Sequence, residues 1–339
     1  MTLQQRLELL VQLGQHLSGK DEFLEALIKR TAFNNKWFTV EQQQRMIDNI
    51  AQHFLAKEQL SAWVDTYDIP TKTEQPMRVG IVMSDDIPLA GFHDLLCVFI
   101  AGHKSTIKLA AQDKFVLPYL VKLLTQWNTD AKDYFKITPH IKGFDAIIAT
   151  SGEDAMQHYI NYFGKYPHII RPKRRGVAVL TGQETRDELH ALGKDIFRYF
   201  GRGNRNVAKV YVPTDYDFQP LLEALHDYRE IVLHNSYKNN FDYAYALMIL
   251  NKVPFKANGA IILTEQATLS SGIANLFYQY YPDQQVLTTL LQQSEEDIEL
   301  VVSSTAMPSF AHTAFGHANE LRLNTYAAGI DTMAFLMNL

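Results

Sequence analysis

Leu3, Leu7, Leu10, Leu13 and Leu17 recur at three- to four-residue spacing, the pattern of one apolar stripe along a helix. A second stripe follows in Phe23, Leu24, Ala26, Leu27 and Ile28. A third helix starts near Val40 and carries Met46, Ile47, Ile50, Phe54 and Leu55. Each of these helices is apolar on one face only, so residues 1–65 form a helical layer that packs on something else.

After Pro70 the rhythm changes. Arg78–Met83 is a short β-branched run, the mark of a buried strand. The loop Ser84-Asp85-Asp86-Ile87-Pro88 leads to a helix over Leu89–Ala101, closed by Gly102, and to a strand over Thr106–Ala110. A helix over Phe115–Trp127, a strand over Ala146–Thr150 and a helix from Ser151 through Tyr162 follow. Strands alternating with helices predict a parallel sheet with right-handed crossovers. The small-residue turn Thr150-Ser151-Gly152 sets backbone N–H groups at a helix start, where a phosphate is favoured.

The second half repeats the alternation. Strands are predicted over Val177–Leu180, Val207–Val212, Ala260–Thr264, Leu276–Tyr281 and Leu300–Ser303. Helices are predicted over Arg186–Phe200, Phe218–Tyr228, Tyr243–Leu250 and Gln285–Ile298, and the chain ends on an apolar helix, Met333–Met337, that must dock. Between the helix ending near Phe200 and the strand at Val207 lies a loop with two glycines, Gly201 and Gly203. A loop so held presents one side chain, Asn204, at a fixed point.

At 339 residues the chain suits two domains. The basic cluster Arg171–Arg175 marks the crossing between the two α/β halves. A net charge of −5 with mixed signs gives no electrostatic footprint for nucleic acid. Cys97 is the only cysteine, which excludes an intrachain disulfide and fits a reducing compartment. Its neighbours Leu95, Leu96, Phe99 and Ile100 make it a buried small hydrophobe. Residues 1–17 read as an amphipathic helix, not a signal peptide, and the longest apolar stretches are too short to span a bilayer. A cytoplasmic protein is expected. The histidines show no metal-type spacing. His93, beside Asp94 at a helix start, has an acid–base reading and a plainer one in first-turn packing.

Several blocks are familiar: I-P-L-A-G-F-H-D-L-L (87–96), G-H-K-S-T-I-K-L-A (102–110), F-D-A-I-I-A-T (144–150), N-Y-F-G-K-Y-P-H-I-I-R (161–171), D-I-F-R-Y-F-G-x-G-x-R-N-V-A-K (195–209) and G-I-D-T-M-A-F-L (329–336). From about residue 70 onward the chain resembles the short acyl-CoA reductases related to the LuxC-type fatty acyl reductase of bacterial luciferase operons. That family is similar to aldehyde dehydrogenases.

The resemblance implies an α/β protein with an aldehyde dehydrogenase-like architecture: N-terminal helices and a doubly wound, parallel-sheet NADP-binding domain over 1–173, a catalytic, acyl-binding α/β domain over 174–310, and a tail, 311–339, packed back on the body. It implies NADP(H), or NAD(H), as cofactor and no metal. The implied substrate is an acyl-CoA or acyl-protein thioester, reduced to an aldehyde through an acyl-enzyme. An acyl-protein synthetase is an implied partner, and a homo-oligomer is an implied assembly.

Residue by residue, Lys108 matches the lysine that reaches the cofactor's ribose and phosphate, and Thr150-Ser151-Gly152 the turn near the pyrophosphate, although relatives have Gly before Ser. Two positions depart. Asp86 stands where the family offers an asparagine to hold the thioester oxygen as it becomes an oxyanion, and a carboxylate there repels that charge unless protonated. Asn204 stands where the family offers the cysteine nucleophile, and a carboxamide is no nucleophile. The general-base glutamate of hydrolytic aldehyde dehydrogenases, which falls near Ile170, is absent. Its absence fits a reductase, and fits equally a non-catalytic relative that binds nucleotide, acyl chain or a partner subunit.

Overall fold

The computed structural model describes residues 1–150, 153–269, 271–307 and 309–339, with the backbone alone over 153–155. The chain divides into two units, Met1–Lys173 with Leu321–Leu339, and Arg174–Glu320.

In the first unit the helical layer is α1 (Leu3–Leu17), α2 (Glu22–Asn34), α3 (Val40–Asn49) and α4 (Lys57–Val64). Short polar side chains start these helices: Thr2 closes a capping box on α1, Asp21 accepts from two N–H groups of α2, and Thr39 caps α3. Next come β1 (Arg78–Val82), α5 (Phe92–Ala101), β2 (Lys104–Lys108), α6 (Val116–Trp127), β3 (Phe135–Ile137), β4 (Ala146–Thr150), α7 (Glu153–Phe163) and β5 (His168–Arg171). The five strands are all parallel, in the order β3-β2-β1-β4-β5. Strand order therefore reverses between β1 and β4, the kind of switch point at which doubly wound sheets take ligands. Helix α5 is buried almost all round and sits in the middle of this unit. It ends on Gly102, whose left-handed φ of 82° suits glycine and whose missing Cβ makes room for Thr73.

The second unit holds β6 (Arg175–Val179), α8 (Arg186–Phe197), β7 (Val207–Pro213), α9 (Gln219–His226), α10 (Asn235–Leu250), β8 (Lys256–Ala257), β9 (Ile262–Glu265), β10 (Asn275–Tyr281), α11 (Gln284–Gln293), β11 (Ile298–Val302) and β12 (His312–Thr313). Its sheet runs β12-β11-β6-β7-β10-β9-β8, parallel except at β8–β9. Val177, Val179, Tyr211, Leu287, Leu291 and Val301 form a core between this sheet and α11. The last helix, α12 (Thr332–Met337), belongs to the first unit, where it packs on α5 and its Leu336 carbonyl meets His103 Nε2 at 3.0 Å.

Several boundaries differ from the sequence reading, among them the start of the helix expected at Tyr243, which begins at Asn235. The helix expected from Leu89 begins at Phe92, because Leu89 sits at φ 54° with its N–H bonded to Asp113. The helix expected to reach Phe200 stops at Phe197, and Tyr199, Phe200 and Gly201 all take positive φ. The helix expected over Gln285–Ile298 ends at Gln293, because Ile298 already pairs with Arg175 of β6. Four short strands, β3, β5, β8 and β12, were not expected from the pattern.

Candidate functional site

The turn between α8 and β7 is fixed by its own last residue, Asn206, and by Arg175 of β6. Asn206 is 1% exposed. Its Nδ2 donates to the carbonyls of Asp195 and Arg198 at 2.8 Å each, and its Oδ1 accepts from Gly203 N at 3.0 Å. These bonds take over carbonyls that a continuing helix would use, so α8 ends and the backbone turns through the left-handed region. That region is costly for Tyr199 and Phe200 and free for Gly201. The Arg175 guanidinium donates to the carbonyls of Gly201, Arg202 and Gly203 at 3.3–3.4 Å. Gly176 lets β6 approach the far side of the turn; a Cβ there would lie 2.6 Å from the Arg205 carbonyl.

The Asp195 carboxylate, 1% exposed, accepts from Gly316 N at 2.6 Å and Ala318 N at 2.9 Å, tying α8 to the segment after β12. Burial raises its pKa to about 6 in spite of those bonds. Arg205 Nε donates to the Ala318 carbonyl at 2.6 Å. Asn204 itself is half-buried at the centre of the turn. Its Oδ1 is buried and has no hydrogen-bond partner among the described residues.

In the first unit, Asp86, Lys108 and Thr150 come to the carboxyl edge of the sheet, after β1, at the end of β2 and at the end of β4. Ser151 and Gly152 lie outside the described residues. Asp86 is tied on both oxygens: Lys173 Nζ donates to Oδ1 at 2.9 Å and Ser84 Oγ to Oδ2 at 2.6 Å. Lys108 is exposed, and its ammonium has no partner among the described residues. Asp113, 7% exposed, anchors the loop after β1 through Leu89 N at 2.9 Å, and burial raises its pKa to about 6.

His93 and Asp94 do not work as a pair. His93 Nε2–H donates to the Leu323 carbonyl at 2.8 Å, and its ring packs against Phe54, Trp63 and Tyr326. Burial lowers its pKa, so the ring is neutral, and its Nδ1 faces Cys97 Sγ at 3.7 Å. Asp94 binds Arg171 instead, in a bidentate bond at 2.8 and 2.9 Å. Cys97 is buried, and burial raises its pKa well above the usual thiol range, which leaves it an unreactive thiol. Ile170, where the resemblance would put a general-base glutamate, is a half-buried residue of β5.

No protein-family model matches the chain, and no curated protein matches it in sequence. Solved structures do match. Aldehyde dehydrogenase 21 from Physcomitrella patens, in complex with the reaction product succinate, has a TM-score of 0.72 at 10% identity, covering 100% of this chain and 84% of that one. An E. coli NADP-dependent enzyme has a TM-score of 0.69 at 12% identity over 91% of this chain and 74% of the other. A P. syringae indole-3-acetaldehyde dehydrogenase variant in complex with NAD+ and IAA has a TM-score of 0.67 at 12% identity over 92% and 74%. The chain has an aldehyde dehydrogenase-like fold.

Within this fold, sequence reasoning placed Asn204, Asp86 and Lys108 on loops and strand ends, but missed the groups that hold those loops. Asn206, Asp195 and Asp113 read as ordinary polar residues in sequence, and Lys173 and Arg175 only as part of the basic cluster at the crossing. The one available signal was their type, since Asn, Asp and Arg beside apolar runs are rarely buried without a partner. Among the described residues no group of three His, Cys, Asp or Glu could hold a metal ion, and no helix is long and apolar enough to cross a membrane.

Proposed function

We propose that the protein binds NADP(H), or NAD(H), on its first unit and carries no acyl group on residue 204. It thus acts as a nucleotide-binding relative of acyl thioester reductases without covalent thioester chemistry. Asn204 carries this reading: the turn around it is fully built, while the side chain it presents cannot attack a thioester. The chain's one thiol, Cys97, is buried among apolar side chains of α5.

The first unit fits a dinucleotide. Strand order reverses between β1 and β4, and Lys108 at the end of the neighbouring strand β2 holds an exposed ammonium with no partner among the described residues. A compact cation there suits a ribose phosphate. When bound, the nicotinamide would supply a hydride; this chain's own residues would bind and orient it. Asp86, neutralised by Lys173, would hold the loop after β1 rather than stabilise an oxyanion.

A second reading, NADPH-dependent reduction of an acyl-CoA or acyl-protein thioester to aldehyde, is favoured by the G-R-G-N-R-N-V-A-K block and its neighbours. One set of measurements separates the two. Calorimetric titration with NADPH and NADH should give a binding isotherm, and NADPH oxidation with a series of acyl-CoAs should give no turnover. Intact-mass spectrometry should show no acyl adduct. Turnover, or an adduct on Cys97 or elsewhere, would favour the second reading; a flat titration with both nucleotides would remove the first.

A further inference from the structure

We propose that Lys173 is a phosphate ligand of the dinucleotide site, and that Asp86 holds its ammonium in place until a phosphate takes it. This rests on the nucleotide-binding reading above. Asp86 lies just beyond β1 and Lys173 just beyond β5, and β4 runs between those two strands. Neighbouring strands are about 4.8 Å apart, so β1 and β5 stand roughly 10 Å apart. The 2.9 Å bond from Lys173 Nζ to Asp86 Oδ1 joins the loops that follow β1 and β5, the strands on either side of β4, next to the point where strand order reverses. The pair bridges the place where the sheet would receive a pyrophosphate.

The bond is suited to exchange. The Lys173 and Asp86 side chains keep 31% and 24% of their surface exposed. An ion pair so open to water adds about 0–1 kcal/mol to stability, so its loss costs the fold little. A pyrophosphate offers more charge and more acceptor oxygens than one carboxylate, and draws the same ammonium more strongly. Asp86 would not be left bare, since Ser84 Oγ still donates to its other oxygen at 2.6 Å. With Lys108 at the end of β2, the switch point is flanked by a cation on each side. A loop tether alone would not need its lysine next to the switch point, and the two roles predict different binding behaviour.

The test is calorimetric titration of the full chain with NADPH, ADP and adenosine. Lys173→Ala should weaken NADPH and ADP about tenfold, the loss of one charge-assisted hydrogen bond, and leave adenosine unchanged. Lys173→Arg should retain most of the affinity. Asp86→Asn, which keeps an acceptor for Ser84, should tighten ADP about threefold by releasing the ammonium and removing a negative charge. Unchanged ADP affinity in Lys173→Ala would overturn the proposal while leaving nucleotide binding intact. So would an equal loss for adenosine, or an Asp86→Asn variant that binds no tighter. A wild-type chain that binds none of the three would overturn this proposal and the reading beneath it together.

Discussion

The turn around Asn204 and the loop around Asp86 are the two places where a side chain departs from the resembled pattern, and they are built in opposite ways. The Asn204 turn is held by other residues: Asn206, Arg175 and Gly176 set its backbone. The Asp86 loop is held partly by Asp86 itself, through Lys173 and Ser84. A turn fixed by other residues tolerates a change in the side chain it presents. The Asp86 carboxylate takes part in the bonding of its own loop, and Lys173 and Ser84 meet its two oxygens. The backbone of the turn is thus set independently of the residue 204 side chain, whereas the loop after β1 bonds through its own residue 86.

The largest effect expected within this comparison is at Asn206. Asn206→Leu leaves the Asp195 and Arg198 carbonyls and the Gly203 N–H without partners in a buried place, and should cost about 3 kcal/mol in urea unfolding. A loss under about 1 kcal/mol would mean that the turn is fixed by something else.

A smaller effect sharpens the other side. Asp113 anchors the loop after β1, and its folded pKa of about 6 lies above the ordinary 3.8. Between those values the folded chain holds a proton that the unfolded chain has released. The stability from this group is complete at low pH and is lost as pH rises through about 6. Asp195 acts in the same direction, while His93 and His103, whose pKa values are lowered by burial, act in the opposite direction over the same range. The difference between wild type and Asp113→Asn isolates the one group. Asn still accepts from Leu89 N, so on going from pH 7 to pH 5 the wild type should gain about 1 kcal/mol relative to the variant. Parallel stability curves over that range would show that Asp113 is not the group that titrates.

What sequence reading could reach follows from the range of the interactions. Ala146–Thr150 was legible to the residue, and Val207–Val212 nearly so, because a buried β-branched run carries its own signal. The strand His168–Arg171 was not, since its polar and apolar residues look like a loop until β4 pairs with it. The overrun of α8 to Phe200 has the same origin: the apolar stripe continues, but Asn206, at the end of the turn, diverts the carbonyls. The loops that present Asn204 and Asp86 could be found from glycines and strand ends. Their supports could not, because Lys173 and Asp86 are 87 residues apart in sequence, and Arg171 and Asp94 are 77 apart. No local pattern specifies such pairs.

The smallest effect is the one on which the separation of fold from chemistry depends. Asn204→Ala should change stability by no more than about 0.5 kcal/mol, because the Asn204 Oδ1 makes no bond among the described residues and the turn is fixed elsewhere. Asn204→Cys should be as well tolerated and would return a thiol to the turn. If that variant gains an acyl adduct from an acyl-CoA by intact mass and the wild type does not, residue 204 alone separates the two chemistries. Should Asn204→Ala lose more than about 1 kcal/mol in the same unfolding assay, the side chain is part of the scaffold. The turn could then no longer be described as built around a replaceable residue.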